Sequence, residues 1–390
     1  MEDKRRILER LKAGEISIDE AEQLLFGREK KELSPDIDFA SGMTDENNPT
    51  DTQSGESAKE KILDFIDQAV KKIKELDVDN AVKKLKELDV DRLVKKLKEV
   101  DLEGAVKIFK DLDLKFYPSV EVAHSLQQNK SDFETVHVDI ANGSVHLVGW
   151  DHEDVRVEIH ARVYGAETEE EGKAKLLENI ELDWEGRELF LRSKDKLIKM
   201  NAKIYLPERQ YQKVSVKMLN GPITVGEIRA DEIEGKTLNG KLSISGCAGK
   251  ETHLESGNGS MKISDSRFVY LETETLNGKV DLEGNYETAK AQTVGGSIFC
   301  TAGERTKKLE LETIAGSVYI KVPEGKQVSG LLKSNVGTLR VDLEQAKITD
   351  EKSDLVAKTL RFESAGTAGD PLELHAVART GSVFVQPLSL

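Results

Sequence analysis

From Phe116 onward, apolar and polar residues alternate along the chain, whereas residues 60–115, directly before it, follow a helical period. The segments 135–140 and 155–159 alternate in this way, which is typical of strands with one face in a hydrophobic core. One interruption, residues 167–177, has helical spacing and predicts a single inserted helix. The pattern therefore predicts a mainly β domain over residues 116–390.

A repeat of about 19 residues runs through the middle of this region. Glycines mark the repeat at spacings of 19, 19, 19, 18, 20 and 21 residues: Gly221, Gly240, Gly259, Gly278, Gly296, Gly316 and Gly337. Gly143 and Gly381 carry the same local pattern at the two ends. A nearly fixed period of this size is typical of stacked repeat architectures.

The residues around each glycine agree from one repeat to the next. Asparagine precedes the first four glycines, and threonine or serine stands three positions before all but the first. Two apolar columns lie two and four positions after the glycine: Ile223, Leu242, Met261, Val280, Ile298, Val318 and Leu339, then Val225, Ile244, Ile263, Leu282, Cys300, Ile320 and Val341. Between them is a mixed column that we expect to face outward: Thr224, Ser243, Lys262, Asp281, Phe299, Tyr319 and Arg340.

These columns favour a parallel β-solenoid with about 19 residues per rung. Asn-Gly would supply the positive φ that a sharp corner requires, and Asn over Asn and Thr over Thr would hydrogen-bond along the stack. Antiparallel hairpins are the alternative, because Asn-Gly between alternating segments is also a strong hairpin signal. Hairpins, however, would not require the same residue type in the same column over six intervals.

Two segments precede the region of repeats. Residues 1–28 predict an α-helical hairpin, because Gly14 would end one helix and Ser17 with Glu20 would form a capping box for the next. Such short helices bury little surface alone, so the hairpin is either an interaction element or an ordinary N-terminal cap. Residues 29–58 are rich in Ser, Thr, Asp, Asn, Gly and Pro, which indicates a disordered linker.

Residues 59–115 contain a second repeat, with a period of 12 and copies such as VKKLKELDVDRL from Val82. Its apolar residues are spaced as in amphipathic helices that break at each Asp-Val-Asp. Residues 70–115 carry 13 basic and 11 acidic residues, a net charge of +2, against −17 for the remainder. Three interpretations stay open: a self-packing spacer, a partner-binding or self-assembling segment, and peripheral contact with an anionic membrane.

Composition narrows the function classes. The whole chain has a net charge of −15, which argues against nucleic acid as the main partner. The N-terminal sequence lacks the apolar run of a signal peptide, and no segment has 18 consecutive apolar residues, so we expect a cytoplasmic protein. Cys247 and Cys300 are too few for a disulfide framework and are expected to be core thiols.

The sequence predicts no catalytic residues, no cofactor and no metal site. Glycosidase-type chemistry needs paired carboxylates, and the outward column between the apolar columns has no adjacent acids. The Asn-Gly corners lack the strand-to-helix context of a phosphate loop. The seven histidines are scattered, and a metal trio of His137, His146 and His160 is not favoured; the others are His124, His152, His253 and His375.

The quoted motifs resemble a known family. ILERLKAGEISIDEAEQLL is similar to the short helical-hairpin domain of YvlB-like and LiaX-like proteins of low-GC Gram-positive bacteria. KIYLPERQYQKVSVKMLNGPITV, with the LNGKL, GNGSM and LNGKV units, resembles their repetitive "putative adhesin" β domain. The resemblance implies a non-enzymatic protein linked to the cell-envelope stress response, sometimes with phage-shock-type membrane partners. It also implies no catalytic residues.

Three functions follow as hypotheses. The first is an interaction or scaffold protein, with the solenoid as a rigid rod and the segments before it as the part that binds a partner, a second copy or a membrane. The second is a surface or secreted adhesin-like protein that binds cell-wall glycans or antimicrobial peptides. The third, and least favoured, is a carbohydrate-active β-helix enzyme.

Overall fold

The structure is a computed structural model that describes residues 118–129, 132–184, 186–354 and 357–388. These residues form 22 strands in one continuous sheet, and one helix. Most strand pairs in the middle of the chain are parallel, so the rungs stack as in a solenoid instead of pairing as hairpins. Antiparallel pairs occur near the two ends of the stack.

The strands fall into three groups along the chain. The first group is β1 (Ser119–Gln128), β2 (Thr135–Trp150), β3 (Val155–Tyr164), β4 (Glu181–Asp183), β5 (Glu188–Ser193) and β6 (Ile198–Pro207). The central group is β7 (Gln210–Asn220), β8 (Ile223–Gly226), β9 (Arg229–Asn239), β10 (Leu242–Ser245), β11 (Ala248–Asn258), β12 (Met261–Asn277), β13 (Val280–Gly295), β14 (Ile298–Thr301), β15 (Lys308–Ala315) and β16 (Val318–Val322). The last is β17 (Val328–Ser334), β18 (Leu339–Val341), β19 (Ala346–Asp354), β20 (Ala357–Ser364), β21 (Leu372–Ala378) and β22 (Val383–Pro387).

A long strand, a glycine corner and a short strand make up each central rung. Long strand β9 pairs in parallel with β7 on one side and β11 on the other, and short strand β10 pairs with β8 and with the start of β12. The register keeps equivalent residues side by side, so Asn239 lies between Asn220 and Asn258. The 19-residue period of the sequence is thus the length of one turn of chain.

The corner glycines are required mainly because the backbones of successive rungs approach closely. A Cβ atom at Gly259 would overlap the carbonyl oxygen of Gly240, and the same overlap recurs along the column. Only three corners have clearly positive φ, namely Gly143 at 131°, Gly221 at 134° and Gly316 at 156°. The sequence argument from positive φ was therefore wrong for most corners, where close contact excludes a side chain.

Side-chain ladders line the corner. The amide of Asn239 donates to Asn220 at 2.8 Å, and Asn220, Asn258 and Asn277 each donate to the preceding asparagine at 3.0 Å. This ladder begins at Asn142, and it confirms the predicted stacking of Asn over Asn. The threonine column differs from prediction, because its hydroxyls donate to glycine carbonyls of the preceding rung instead of to each other: Thr237 to Gly221 at 3.3 Å and Thr313 to Gly296 at 2.7 Å are two cases.

The core lies inside the stack. The two predicted apolar columns are buried in every central rung, and they continue across the long strands through Ile233, Leu254, Leu271 and Leu309. Leu339 and Val341 in the outermost rung are only partly buried, because that rung has a neighbour on one side alone. Cys247 and Cys300 are buried and free, as predicted, and burial raises the pKa of their thiols to about 11 and about 12.

At one end of the stack, the order of rungs departs from the order of the chain. Strand β2 lies inside the stack, between β7 with β8 on one side and β5 with β6 on the other. Strand β3 then pairs antiparallel with β6, and β1 pairs antiparallel with β3. The predicted inserted helix is confirmed as α1 (Glu169–Asn179), which is capped by the Thr168 hydroxyl and packs on β1 and β3 through Gly172 and Leu176.

The other end shows the same exchange of order. Strands β21 and β22 lie between the rung of β15 with β16 and the rung of β17 with β18. The backbone at Gly381 therefore contacts both Gly316 and Gly337. The Gly337 rung, although it comes next after Gly316 in the chain, therefore does not lie beside the Gly316 rung. Strand β20 pairs antiparallel with β17, and β19 pairs antiparallel with β20, so both end rungs are covered by antiparallel strands.

The predicted fold class needs correction. A parallel β-solenoid with an N-terminal α-helical hairpin and a repeated amphipathic helical segment was expected, whereas the described residues form one solenoid-like sheet with antiparallel ends and the single helix α1. The predicted hairpin at 1–28, the linker at 29–58 and most of the segment at 59–115 with its repeats lie outside the described residues. The domain boundaries proposed from the sequence stay predictions.

Candidate interaction surface

The outer face of the long strands carries the most distinctive arrangement of charge. Side chains alternate between core and solvent along a strand, so three positions of β9, three of β11 and three of β12 point outward. We call this the glutamate face, and its nine residues are Glu232, Glu234, Lys236, Glu251, His253, Glu255, Tyr270, Glu272 and Glu274. Six of the nine are glutamate, and the register places them side by side across three rungs.

Four of these glutamates are unusually buried for outward positions. The side chains of Glu234 and Glu272 are 14% and 15% exposed, whereas Glu310, two rungs beyond Glu272 in the same column, is 39% exposed. Whole-residue exposure is 9% for Glu255 and 6% for Glu274. Glutamate is rarely buried to this extent without a partner, so we expect these carboxylates to form ion pairs or hydrogen bonds.

One lysine of the glutamate face and one lysine beside it lie within ion-pair distance of its glutamates. Lys236 lies 3.0 Å from Glu234 and 3.4 Å from Glu255, and Lys290 donates to Glu272 at 2.8 Å. Burial alone would raise the pKa of Glu234, but hydrogen bonds from Lys236 and Ser215 outweigh it and lower the pKa to about 2. Glu234 is therefore ionised throughout the physiological range.

His253 is the titratable group at the centre of the face. Its Nδ1 atom lies 3.3 Å from a carboxylate oxygen of Glu272, and its Nε2 atom lies 3.7 Å from Glu251. The hydrogen bond with Glu272 is the main cause that raises the pKa of His253 above its usual value. Protonation of His253 thus adds one positive charge amid the glutamates.

The outer face of the short strands differs because it carries three stacked aromatic rings. Tyr319 lies between Phe299 and Phe384, with ring centroids 4.8 Å and 5.2 Å apart and planes within 12° of parallel. Lys279 lies over the outer face of Phe299, with its Nζ atom 4.3 Å from the centroid. Because the rings cover one another's faces, they present mainly edges to solvent. That geometry is unsuited to stacking on sugar rings.

The histidines considered as metal ligands stand apart in the sheet. His137 lies beside Phe190 and Ser215, His146 beside Lys203 and Thr224, and His160 beside Ala123 and Asn201. Within the described ranges, no three His, Cys, Asp or Glu side chains are grouped so as to hold a metal ion. Among the same residues, no helix has the length and apolar character needed to cross a membrane.

Sequence comparison identifies the family. Residues 186–363 match the model of a family described as Toastrack DUF4097. Protein YvlB of Bacillus subtilis (strain 168) is 30% identical over 390 residues, which cover 98% of each chain. The chain belongs to the Toastrack family. This agrees with the YvlB-like part of the resemblance that the sequence motifs carry.

Several solved structures resemble this Toastrack chain more distantly. A "putative adhesin" of Bacteroides fragilis is 13% identical, with a TM-score of 0.40, and the match covers 68% of this chain and 97% of that one. A "putative lipid binding protein" of Parabacteroides distasonis is 11% identical, with a TM-score of 0.34, over 68% and 96%.

The glutamate face was missed by the sequence interpretation, although the signal was present. The 19-residue period places Glu234, His253 and Glu272 in one column and Lys236, Glu255 and Glu274 in the next. Only the positions after each glycine were followed through the repeats, so the outward positions of the long strands were not compared. Applying the same period to those positions would have found the face.

Proposed function

We propose that this Toastrack protein is a non-enzymatic interaction protein linked to the cell-envelope stress response. In this proposal the β body is a rigid support, and the Lys-rich segment, residues 59–115, binds a protein partner at the membrane. The observation that carries the proposal is the outer face of the described body, where charged side chains of successive rungs are aligned and form ion pairs.

The architecture suits a support. Every central rung is hydrogen-bonded to a rung on each side, and the ladder from Asn142 to Asn277 repeats the same contact four times. Stacked repeats of this kind hold their neighbours in fixed register over the length of the stack. A body of this type positions a binding segment without taking part in chemistry.

The Lys-rich segment and the β body differ in net charge. Residues 70–115 have a net charge of +2, whereas residues 116–390 have a net charge of −9, so an anionic membrane surface repels the body and does not repel the segment. In this proposal the protein lies on the cytoplasmic side, at the periphery of the membrane. Cell fractionation tests the location, and recovery only from the washed cell exterior would contradict it.

Co-sedimentation separates a protein partner from lipid. We expect the full-length protein to pellet with native membrane vesicles and not with vesicles of phosphatidylglycerol and phosphatidylcholine made without protein. Deletion of residues 59–115 should abolish pelleting. Equal pelleting with both vesicle types would assign the segment to lipid, and pelleting that survives the deletion would remove the segment from the function.

The glutamate face favours a second candidate, a surface protein that captures cationic antimicrobial peptides. Six carboxylates over three rungs would attract such peptides, whereas the edge-on aromatic stack does not favour glycans. Titration of a fluorescent cationic peptide against the wild type and against Glu255→Gln/Glu274→Gln tests this candidate. Equal affinity of the two proteins would exclude the face as the peptide site.

A further inference from the structure

We propose that the glutamate face is the docking surface of the chain's own Lys-rich segment. The occupant is residues 70–115 of the same molecule, the part of the Lys-rich segment that contains the 12-residue repeats. Lysines of these repeats pair with glutamates of β9, β11 and β12. The inference rests on the proposed role of this segment as an interaction element, and it specifies which surface of the body meets the segment.

The burial pattern is the first support. At outward positions Glu255 and Glu274 are buried and Glu234 and Glu272 are half-buried, while Glu310 in the same column of β15 is more than twice as exposed as Glu272. Exposure at outward positions depends on the neighbouring side chains as well as on alternation along the strand. In the next column, Glu312 of β15 is 22% exposed at its side chain, so the burial of outward glutamates is deepest in the rungs of β11 and β12, where a docked segment would add cover.

Charge complementarity is the second support. The nine positions of the face contain six glutamates and one lysine, whereas each repeat of the segment begins with clustered lysines such as Lys83, Lys84 and Lys86. A second cluster, Lys95, Lys96 and Lys98, follows at the 12-residue period. Several pairs acting together stabilise a contact that any single exposed pair would not.

The path of the chain permits the contact. The segment ends at residue 115, and the described chain begins at residue 118, next to β1. From β1 the sheet continues through β3, β6, β2 and β7 to β9, which is about 25 Å at ~4.8 Å per strand. A segment of 46 residues reaches well beyond that distance even when it is not fully extended. The covalent connection also raises the local concentration of the lysines at the face.

Zero-length cross-linking of the full-length protein with a carbodiimide tests the docking directly. We expect amide links between lysines of residues 70–115 and the carboxylates of Glu232 and Glu251, in the monomer fraction and at low ionic strength. Raising the salt to about 1 M shortens the screening length to ~3 Å and should reduce these links by about fivefold or more. Absence of the links at low salt would overturn the proposal.

A matched pair of variants locates the contact. Glu255→Gln/Glu274→Gln removes two central charges, and Glu310→Gln/Glu373→Gln removes two from rungs outside the face. Links to Glu232 and Glu251, which both variants retain, should fall about fivefold in the first and stay unchanged in the second. Equal loss in both variants would contradict docking at this face, and unchanged thermal melting of both excludes unfolding as the cause.

Two further outcomes distinguish the intramolecular docking from a contact between two copies and from the proposed function at the membrane. Links found only in a cross-linked dimer would overturn the intramolecular contact and assign the face to a second copy. Vesicle pelleting is measured on the same samples, so links without pelleting would contradict the proposed function and leave the docking intact. Pelleting without links would contradict the docking and leave the function intact.

Discussion

The central rungs and the two ends of the stack are built from the same strands but follow different rules. From β7 to β16, each rung pairs with the rung that follows it in the chain. At the ends, β2 and the β21–β22 pair lie one rung inward of segments nearer the middle of the chain. Antiparallel strands then cover the outermost rungs.

The central rungs and the end rungs are therefore held in place by two different kinds of contact. A central rung is held by a corner glycine, an asparagine or threonine bond and two apolar columns, all of which repeat with the sequence. An end rung is held by contacts between segments far apart in the chain, such as the bond from the Ser334 hydroxyl to the Gly381 carbonyl at 2.9 Å. Substitutions at equivalent positions in the two regions should therefore differ in effect.

Corner glycines give the largest expected contrast. In Gly259→Ala the new methyl group overlaps the Gly240 carbonyl, and rungs on both sides must move, so we expect a loss of about 3 kcal/mol or more. Gly337→Ala meets Gly381 in the outermost rung, which can shift, and should lose about 1 kcal/mol. Urea unfolding followed by circular dichroism measures both. Equal losses would mean that the end rung is as constrained as the centre.

Apolar columns give the next contrast. Leu282 is fully buried between two rungs, and Leu282→Ala should lose about 3 kcal/mol through lost contacts and a cavity. Leu339 lies in the other inward column and is only partly buried, so Leu339→Ala should lose about 1 kcal/mol. The same urea midpoints give the comparison, and a larger loss at Leu339 would contradict the one-sided packing of the last rung.

The asparagine ladder gives a smaller effect. Asn258 donates to Asn239 and accepts from Asn277, each at 3.0 Å, so Asn258→Ala should lose about 2 kcal/mol. Asn142, at the end of the ladder, accepts from Asn220 at 3.0 Å but donates to the Lys196 carbonyl only at 3.5 Å. Asn142→Ala should therefore lose about 1 kcal/mol. Thermal unfolding of both variants checks the order, which reverses if the ladder matters only at its end.

The smallest effect is a pH dependence from His253 in the centre. Its pKa is raised above the usual value, so its contribution to stability is fully present below about pH 6.5 and is lost as the pH rises through the folded-state pKa. The groups facing it are Glu251, Glu272, Tyr270 and, on the neighbouring strand, Glu234.

His253→Gln should thus lower stability at pH 6 by under about 0.5 kcal/mol and leave it unchanged at pH 9. Urea midpoints at the two pH values measure the effect. His137→Gln is a matched control, because this residue is at the equivalent outward position of β2. An equal loss in both variants, or a loss at pH 9, would contradict the ion-pair explanation.

The contrast also explains which features the sequence predicts. The corner at Gly259, the inward columns and the parallel stacking follow from the 19-residue period, because each depends on the next rung in the chain. The position of Gly337 does not follow, because its columns match those of Gly316 and Gly381 equally well. Only pairing between distant strands decides which rung is the neighbour. The glutamate face shares the period of the core but needs the outward register, which the pairing of β9, β11 and β12 supplies.

The covered ends have a consequence for how such a protein can change in length. Each end is a closed unit made of distant segments, while the central rungs meet only through contacts that every rung offers. Duplication of one unit, for example residues 240–258, would insert a layer of about 4.8 Å without disturbing either end. Related chains can thus lengthen or shorten by whole rungs, while the two end units stay the same.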